Sequence, residues 1–226
     1  MPILLFDIDG TLLQSHGVGR RSIEDALDRV LGQTFDTSEV PFSGKTDEQI
    51  FREILTAAQA SGIDVGDVDS VRARFGAVYR DLMHERLPHA HVEALPGAID
   101  LVQRLATDGV PMGLLTGNLQ PLAYAKVERL GLGPAEFPFG SFGSDAEDRN
   151  ALPAIAIERA GRALDREVDP ADVVVIGDTP RDIECARAGG CVAVAVATGH
   201  YGVDDLSEAD LVLETLEAFS LEALAA

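Results

Sequence analysis

Asp7 and Asp9 stand two residues apart directly after an apolar run, in the segment LLFDIDGTLL. Carboxylates at the end of a buried strand lose hydration, so a partner has to compensate for them. Mg²⁺ is such a partner, because it prefers hard oxygen ligands and usually shares its shell with a phosphate oxygen. One carboxylate left free could then attack phosphorus. A second, kept partly protonated by neighbouring charge, could protonate a leaving alcohol and activate water.

Two further polar clusters follow apolar runs later in the chain, Thr116 in GLLTGN and Asp178 in VVVIGDTPRD. Ligands of an open parallel sheet bind at the carboxyl ends of its strands. We therefore expect Asp7, Thr116 and Asp178 to meet at one sheet edge. Backbone N–H groups, a hydroxyl and amide donors would bind phosphate there. The expected phosphate-binding residues are Gly10, Thr11, Thr116, Gly117 and Asn118.

Short apolar runs alternate with helical patterns through most of the second half of the chain. The runs are apolar almost throughout, as expected of strands that are covered on both faces. The predicted strands are Ile3–Ile8, Pro111–Leu115, Phe139–Phe142, Val173–Ile176, Val192–Val196 and Leu211–Leu213. Helices are predicted between them, at roughly 98–105, 119–130 and 152–163. This alternation predicts an α/β fold with a doubly wound parallel sheet.

Residues 14–92 break this rhythm, since they carry helical periodicity only. We expect them to form a small all-helical domain inserted after the first strand. Residues 1–13 and 93–226 would then form the domain that contains the sheet. His84, His89 and His91 lie near the end of the insert. No carboxylate or cysteine was expected at ligand spacing from them, so a polar hinge is favoured over a metal site.

The chain has 226 residues, of which 18 are basic and 38 acidic, giving a net charge of −20. Charge of that sign repels nucleic acid and anionic membranes, so neither is expected as a partner. It would also repel a phosphorylated metabolite, so a site for one needs its own cations. The longest apolar run has seven residues and the first ten residues include no basic one. A cytoplasmic protein without a signal peptide is therefore expected.

The order and spacing of these motifs resemble the haloacid dehalogenase superfamily of phosphohydrolases, and the insert resembles the helical cap of that family. The resemblance implies a Rossmann-like core and a Mg²⁺-dependent phosphatase that acts on a small phosphorylated metabolite through an aspartyl phosphate, similar to phosphoglycolate phosphatases. By position it implies five roles: the nucleophile and metal ligand Asp7, the general acid/base Asp9 with its backbone carbonyl on the metal, the phosphate-binding Thr116, the metal ligand Asp178 and Asp182 beside the metal's waters.

The family's basic motif is the place where this sequence departs from the pattern. Many relatives have Lys-Pro before the helix that precedes the last acidic motif, and Arg149 stands there instead. Lys126 is the alternative, but it lies about ten residues past Thr116, or roughly 15 Å of helix rise, so Arg149 is favoured. Lys45, in FSGKTDEQI, stands where family caps often present a loop to the active site. It is a candidate substrate-binding residue.

Two other functions are left open by the sequence. A sugar phosphomutase similar to β-phosphoglucomutase shares the core motifs and passes the phosphoryl group to a second hydroxyl instead of water. A receiver-like or catalytically silent binding protein is the alternative from another class. The presence of Asp7, Asp9, Thr116 and Asp178 together argues against a silent protein. The sequence predicts neither the substrate nor the oligomeric state.

Overall fold

A six-stranded parallel sheet forms the centre of the computed structural model, which describes residues 1–225. From edge to edge, and numbered in chain order, its strands are β5 (Phe139–Phe142), β4 (Met112–Thr116), β1 (Ile3–Phe6), β6 (Val173–Gly177), β7 (Val192–Val196) and β8 (Leu211–Leu213). All six predicted strands are present, with small shifts at their ends. The predicted α/β fold with a parallel sheet is confirmed.

Each face of the sheet is buried by its own pair of helices. These are α4 (Ala98–Thr107) and α5 (Gln120–Glu128) on one face, and α6 (Leu152–Leu164) and α7 (Pro180–Ala188) on the other. Leu4 and Phe6 of β1 lie in the apolar cluster of the first face, whereas Ile3 and Leu5 lie in that of the second. Successive strand residues point to opposite faces, so a strand covered on both sides is apolar throughout.

Residues 14–92, called the helical segment below, form a third apolar cluster. Its helices are α1 (Val18–Leu31), α2 (Asp47–Ala60) and α3 (Val68–Arg86). The ring of Phe51 lies 4.6 Å from that of Phe75 and 5.4 Å from that of Tyr79, measured between centroids. Leu119 and Leu122, at the start of α5, belong to the same cluster, so the helical segment packs on the sheet-bearing part. Among the helices of residues 1–225, none is both long and apolar enough to cross a membrane.

The two connections between the helical segment and the sheet lie side by side. Strand β2 (Leu13–Gln14) pairs antiparallel with β3 (Glu93–Ala94), and the Leu95 N–H donates to the Leu12 carbonyl at 3.0 Å. The chain therefore leaves the sheet-bearing part and returns to it at neighbouring points. These points coincide with the bounds predicted for the inserted domain. The division into two domains itself stays a prediction.

A histidine cluster lies beside these connections. The rings of His16 and His91 stack with centroids 4.5 Å apart, and Glu93 lies 3.0 Å from His16 Nε2 and 3.6 Å from His91 Nε2. The expectation that no carboxylate stands at ligand spacing from these histidines was therefore wrong. The pairing of β2 with β3 brings His16 and Glu93 together from distant parts of the chain. His84 and His89 are exposed and are not part of this cluster.

Candidate active site

Three strand ends meet at one cavity, as predicted. Asp7 follows β1, Thr116 ends β4 and Asp178 follows β6, and all three are buried and line a cavity of about 510 Å³. The cavity is also lined by the predicted site residues Asp9, Gly10, Lys45, Gly117, Asn118, Lys126 and Arg149. Two predicted residues, Thr11 and Asp182, are buried but do not line it.

The turn after β1 is tight and holds the neighbouring acid. Gly10 adopts a φ of 83°, and a Cβ there would lie 2.3 Å from Oδ2 of Asp178, so both conformation and space require glycine. The Thr11 hydroxyl lies 3.4 Å from Oδ1 of Asp178. The N–H of Gly10 donates to Leu13 and that of Thr11 to Ile8. The expectation that these two N–H groups turn towards a phosphate therefore differs from the structure, because both are used to close the turn.

Asp7, Asp178 and Asp182 form a cluster in which one carboxylate oxygen from each lies within 4.8 Å of the others. Burial, together with the charge of Asp182 and Asp7, raises the pKa of Asp178 to about 9. Burial also raises the pKa of Asp7 to about 6, although Arg149 opposes this rise. Three crowded carboxylates at one sheet edge are the hard oxygen ligands that Mg²⁺ prefers. This donor set fits the metal that the sequence predicts.

Arg149 enters the site from a short 3-10 turn, Arg149–Ala151, in the connection that follows β5. Its Nη2 atom lies 3.2 Å from Oδ2 of Asp7 and is hydrogen-bonded to Oδ1 of Asp182. Asp182 also accepts hydrogen bonds from the backbone and hydroxyl of Thr179, at 3.0 and 2.8 Å, which caps the first turn of α7. Arg149 therefore joins the nucleophile candidate to a carboxylate whose position is fixed by a helix cap.

Lys126 also reaches the site, from the second turn of α5. Its Nζ atom lies 2.5 Å from Oδ2 of Asp9 and 2.6 Å from Oδ1 of Asn118, whose amide donates to Asp9 at 2.9 Å. The argument that its distance from Thr116 makes Lys126 the weaker candidate was wrong. The helix begins only at Gln120, and helical side chains point back towards the N-terminus, so the lysine extends towards the cavity.

Asp9 is held by three polar groups rather than kept protonated by negative neighbours. Besides Lys126 and Asn118, the Ser15 hydroxyl donates to its Oδ1 at 3.1 Å. Burial acts to raise the pKa of Asp9. The charge of Lys126 and the hydrogen bonds from Lys126, Asn118 and Ser15 outweigh burial, so the pKa is lowered overall. The expectation of a partly protonated Asp9 is therefore wrong for this structure. It was based on neighbouring negative charge alone, whereas Lys126 lies beside Asp9 in the folded chain.

The helical segment contributes a second wall of the cavity. Lys45 lines it as predicted, but its ammonium group is paired with Glu53 of α2. Asp47, two residues on, is buried, and its Oδ2 accepts a hydrogen bond from the Leu119 N–H at 2.9 Å. Burial is the main cause that raises the pKa of Asp47 to about 7, against the charge of Lys126.

Asp47 and Tyr79 are cavity residues that the sequence analysis missed. Asp47 directly follows the helix N-cap Thr46, where an acidic residue is ordinary, so its pattern predicts only helix stabilisation. Tyr79 lies among the apolar positions of α3 and has the pattern of a core residue. The TD dipeptide after Lys45 was the available signal for Asp47, since it lies in the loop already expected to face the site.

The family model for haloacid dehalogenase-like hydrolases matches residues 1–190 of the chain. A phosphoglycolate phosphatase from Rhodospirillum rubrum is 27% identical over 200 residues, which cover 87% of this chain and 80% of that protein. Hexitol phosphatase A from Escherichia coli is 26% identical over 218 residues, which cover 96% of this chain and 92% of that protein.

Solved structures share the fold. A predicted phosphoglycolate phosphatase from Haemophilus somnus superposes with a TM-score of 0.73 at 18% sequence identity, over 100% of this chain and 98% of that chain. At this level of identity the likeness concerns the arrangement of strands and helices. It extends to the helical segment as well as the sheet, because the whole chain is covered.

Proposed function

The chain belongs to the haloacid dehalogenase-like hydrolase family and is a phosphoric monoester hydrolase, and from this premise we propose that it hydrolyses a small phosphorylated metabolite through a phosphoryl group carried on Asp7. The observation that carries the proposal is that Asp7 shares one cavity with two acids, Asp178 and Asp9, whose contacts differ. Asp178 stands in a carboxylate cluster with Asp7, while Asp9 is bound to Lys126.

Asp7, Asp178 and Asp182 would hold Mg²⁺, with the backbone carbonyl of Asp9 that the family resemblance adds. When bound, the ion neutralises the carboxylate cluster and part of the charge on the phosphate. Arg149 is already in contact with Asp7 and Asp182, so it orients the nucleophile. Thr116, Gly117 and Asn118 are the proposed phosphate-binding residues at the end of β4.

The proposed reaction has two steps. The negative charge of the bound ester raises the proton affinity of Asp9, which takes up one proton from solvent. A carboxylate oxygen of Asp7 attacks phosphorus, the bond from phosphorus to the alcohol oxygen breaks, and Asp9 gives that proton to the alcohol oxygen. Asp9 then takes a proton from water, the resulting hydroxide attacks the phosphoryl group, and the bond to Asp7 breaks. Lys126 holds Asp9 in place in both steps. The helical segment, residues 14–92, is the proposed cap over a core of residues 1–13 and 93–226.

Phosphate release from an aryl phosphate in the presence of Mg²⁺ tests this function directly. We expect turnover that EDTA abolishes and that Asp7→Asn lowers by about 10³-fold or more. Asp210→Asn, on the exposed pair with Arg187, is the matched control and should behave as wild type. Circular dichroism of each variant checks the fold. Near wild-type turnover in Asp7→Asn would exclude the covalent route.

The same assay with a sugar phosphate as substrate separates hydrolysis from phosphoryl transfer between hydroxyls. A hydrolase releases one phosphate for each ester consumed, whereas a mutase converts a sugar phosphate into its isomer with little release. A silent binding protein would turn over no ester at all. Measurement of both phosphate and organic product therefore distinguishes the three functions.

A further inference from the structure

The cavity has room for much more than a phosphate group. Its volume of about 510 Å³ lies in the range of sites that enclose a whole small molecule. The phosphate end is marked by Asp7 and Asp178. A second wall belongs to the helical segment, which contributes Arg20, Asp47 and Tyr79. These side chains are available to contact the organic part of the substrate.

The cations that the helical segment brings to the cavity are already paired. Lys45 pairs with Glu53, and Arg20 lies 3.6 Å from Glu24 while its guanidinium stacks on the ring of Phe42 at 3.8 Å. A carboxylate on the substrate would therefore share either cation with a protein carboxylate. The negative charge already beside each cation weakens the attraction that a second carboxylate gains.

The cations of the sheet edge are paired as well. Lys126 is bonded to Asp9, and Arg149 contacts both Asp7 and Asp182. His200, the remaining basic residue of the cavity lining, is exposed. The cavity lining thus offers no unpaired permanent cation to a second anionic group.

Two groups of the helical segment are instead free to bind hydroxyls. Within residues 1–225, Oδ1 of Asp47 and the hydroxyl of Tyr79 make no hydrogen bond, and neither is among the fully enclosed polar atoms that lack a partner. The Tyr79 oxygen lies 3.8 Å from where a Cβ of Gly19 would be, and Gly19 also lines the cavity. A carboxyl group accepts or shares a hydrogen bond from an alcohol, and a phenol both donates and accepts one.

We propose that the substrate is the phosphomonoester of an uncharged polyhydroxy compound, a sugar or polyol, whose hydroxyls bind Asp47 and Tyr79, rather than a phosphorylated carboxylic acid. The proposal rests on the proposed phosphatase function and names its substrate class. Asp47 and Tyr79 are then specificity residues that contact the substrate. A carboxylate in their place would be buried beside Asp47 without a free cation, which costs binding energy.

The test compares three substrates with the intact protein and Mg²⁺: a series of tetritol, pentitol and hexitol monophosphates, 2-phosphoglycolate, and 4-nitrophenyl phosphate. The aryl ester has neither aliphatic hydroxyls nor a carboxylate, so it reports the phosphatase reaction alone. We expect kcat/KM for the best polyol phosphate to exceed that for phosphoglycolate by about 10²-fold or more, as for sites that bind a substrate hydroxyl.

Two variants test whether Asp47 and Tyr79 cause the preference for polyol phosphates. Asp47→Asn and Tyr79→Phe should each lower the ratio of kcat/KM for the polyol phosphate to that for the aryl ester by about 10-fold, the effect of one lost hydrogen bond. Asp47→Asn should also raise the relative rate with phosphoglycolate, because it removes a negative charge. Tyr124→Phe is the matched control. The Tyr124 hydroxyl donates to the Phe137 carbonyl at 3.0 Å, and Tyr124 does not line the cavity.

The outcomes separate the two proposals. Turnover of the aryl ester with a preference for phosphoglycolate over every polyol phosphate would overturn the substrate class and leave the phosphatase function standing. Unchanged substrate ratios in both variants would overturn the roles of Asp47 and Tyr79. Absence of turnover with all three substrates, in folded protein with Mg²⁺, would overturn the phosphatase function and the substrate class with it.

Discussion

At the scale of single residues, each of the two cations at the sheet edge contacts a different acid. Arg149 contacts Asp7, the proposed nucleophile, and Lys126 contacts Asp9, the proposed acid/base. Both cations are buried, so removal of either leaves a buried carboxylate without its charged partner. The choice between Arg149 and Lys126 that the sequence posed is therefore not a choice in the structure, because each contacts a different acid.

Lys126→Met keeps most of the side-chain volume but removes the charge and hydrogen bonds on Asp9. We expect kcat to fall by about 10²-fold, because correctly placed proton transfer contributes at least that much to such reactions. Steady-state kinetics on an aryl phosphate at saturating Mg²⁺ measures it. Arg159→Met, at an ion pair with Asp145 outside the cavity, is the control. A kcat within about threefold of wild type would exclude a role for Lys126 in proton transfer.

Arg149→Ala should also lower kcat by about 10²-fold, the scale for loss of one preorganised donor. Arg149→Lys should recover only part of it, because a flexible ammonium group does not reproduce the fixed position of the guanidinium Nη2 atom, which contacts both Asp7 and Asp182. Comparison of kcat in the two variants checks this. Full recovery by lysine would mean that charge alone, and not the fixed position of the guanidinium, is required.

The acids of the site could be predicted from the sequence, whereas the contacts of Lys126 and Asp47 could not. Asp7 and Asp178 follow strands of a parallel sheet, and such strand ends lie together in any sheet of this kind. The reach of Lys126 depends on where α5 begins and on the direction of its side chain. Asp47 enters the site only because a loop of the helical segment is packed on the TGN turn, which is a tertiary contact.

At the scale of elements, two glycines allow that loop to approach the sheet. A Cβ on Gly117 would lie 2.0 Å from the carbonyl oxygen of Lys45, and one on Gly143 would lie 1.9 Å from that of Gly117. The Thr46 hydroxyl donates to the carbonyl of Glu147 at 2.6 Å across the same contact. The three backbone segments are therefore stacked more closely than any side chain would permit.

Gly117→Ala should push the helical segment away from the sheet edge. Because the clash is with backbone, we expect a loss of about 1–3 kcal/mol in the free energy of unfolding, the scale of overpacking, together with a raised KM. Urea unfolding and steady-state kinetics measure the two effects. Gly133→Ala is the control, since the nearest atom to its Cβ would be 3.9 Å away. Equal stability of the two variants would show that the contact yields without cost.

The strands were predictable for a reason that does not extend to this contact. A strand buried on both faces is apolar at nearly every position, as Val173–Gly177 is. A short apolar run in the sequence is therefore enough to predict where such a strand lies. The packing of Lys45 on Gly117 joins two polar loops far apart in the chain. Nothing in the local composition of either loop distinguishes it from a solvent-exposed turn.

At the scale of the whole molecule, negative charge dominates. The chain has 38 acidic and 18 basic residues, and many of the arginines are used in ion pairs, such as Arg52 with Glu147 and Arg72 with Glu48. A net charge of −20 remains, and it repels itself in the folded state. A phosphorylated substrate therefore approaches against the overall field, and binding depends on the local cations of the site.

Salt should therefore stabilise the protein. Raising NaCl from about 10 mM to about 150 mM shortens the screening length from about 30 Å to about 8 Å, which weakens the repulsion. We expect Tm to rise by about 2–4 °C, the shift for about 1 kcal/mol in a chain of this size. Thermal scans in EDTA exclude metal binding, and choline chloride should act like NaCl. A Tm that falls with both salts would contradict a repulsive net charge.

The pairing of β2 with β3 has a consequence for how such a protein is assembled and altered. Gln14 and Glu93 are opposite each other in the ladder, so the two ends of the intervening 14–93 stretch meet at a single point. A short hairpin turn could join them directly, and closing so small a loop requires little conformational entropy. The proposed cap and the proposed core would then be exchangeable units. We expect exchange of the cap between relatives to change which ester is accepted and to leave the reaction at Asp7 unchanged.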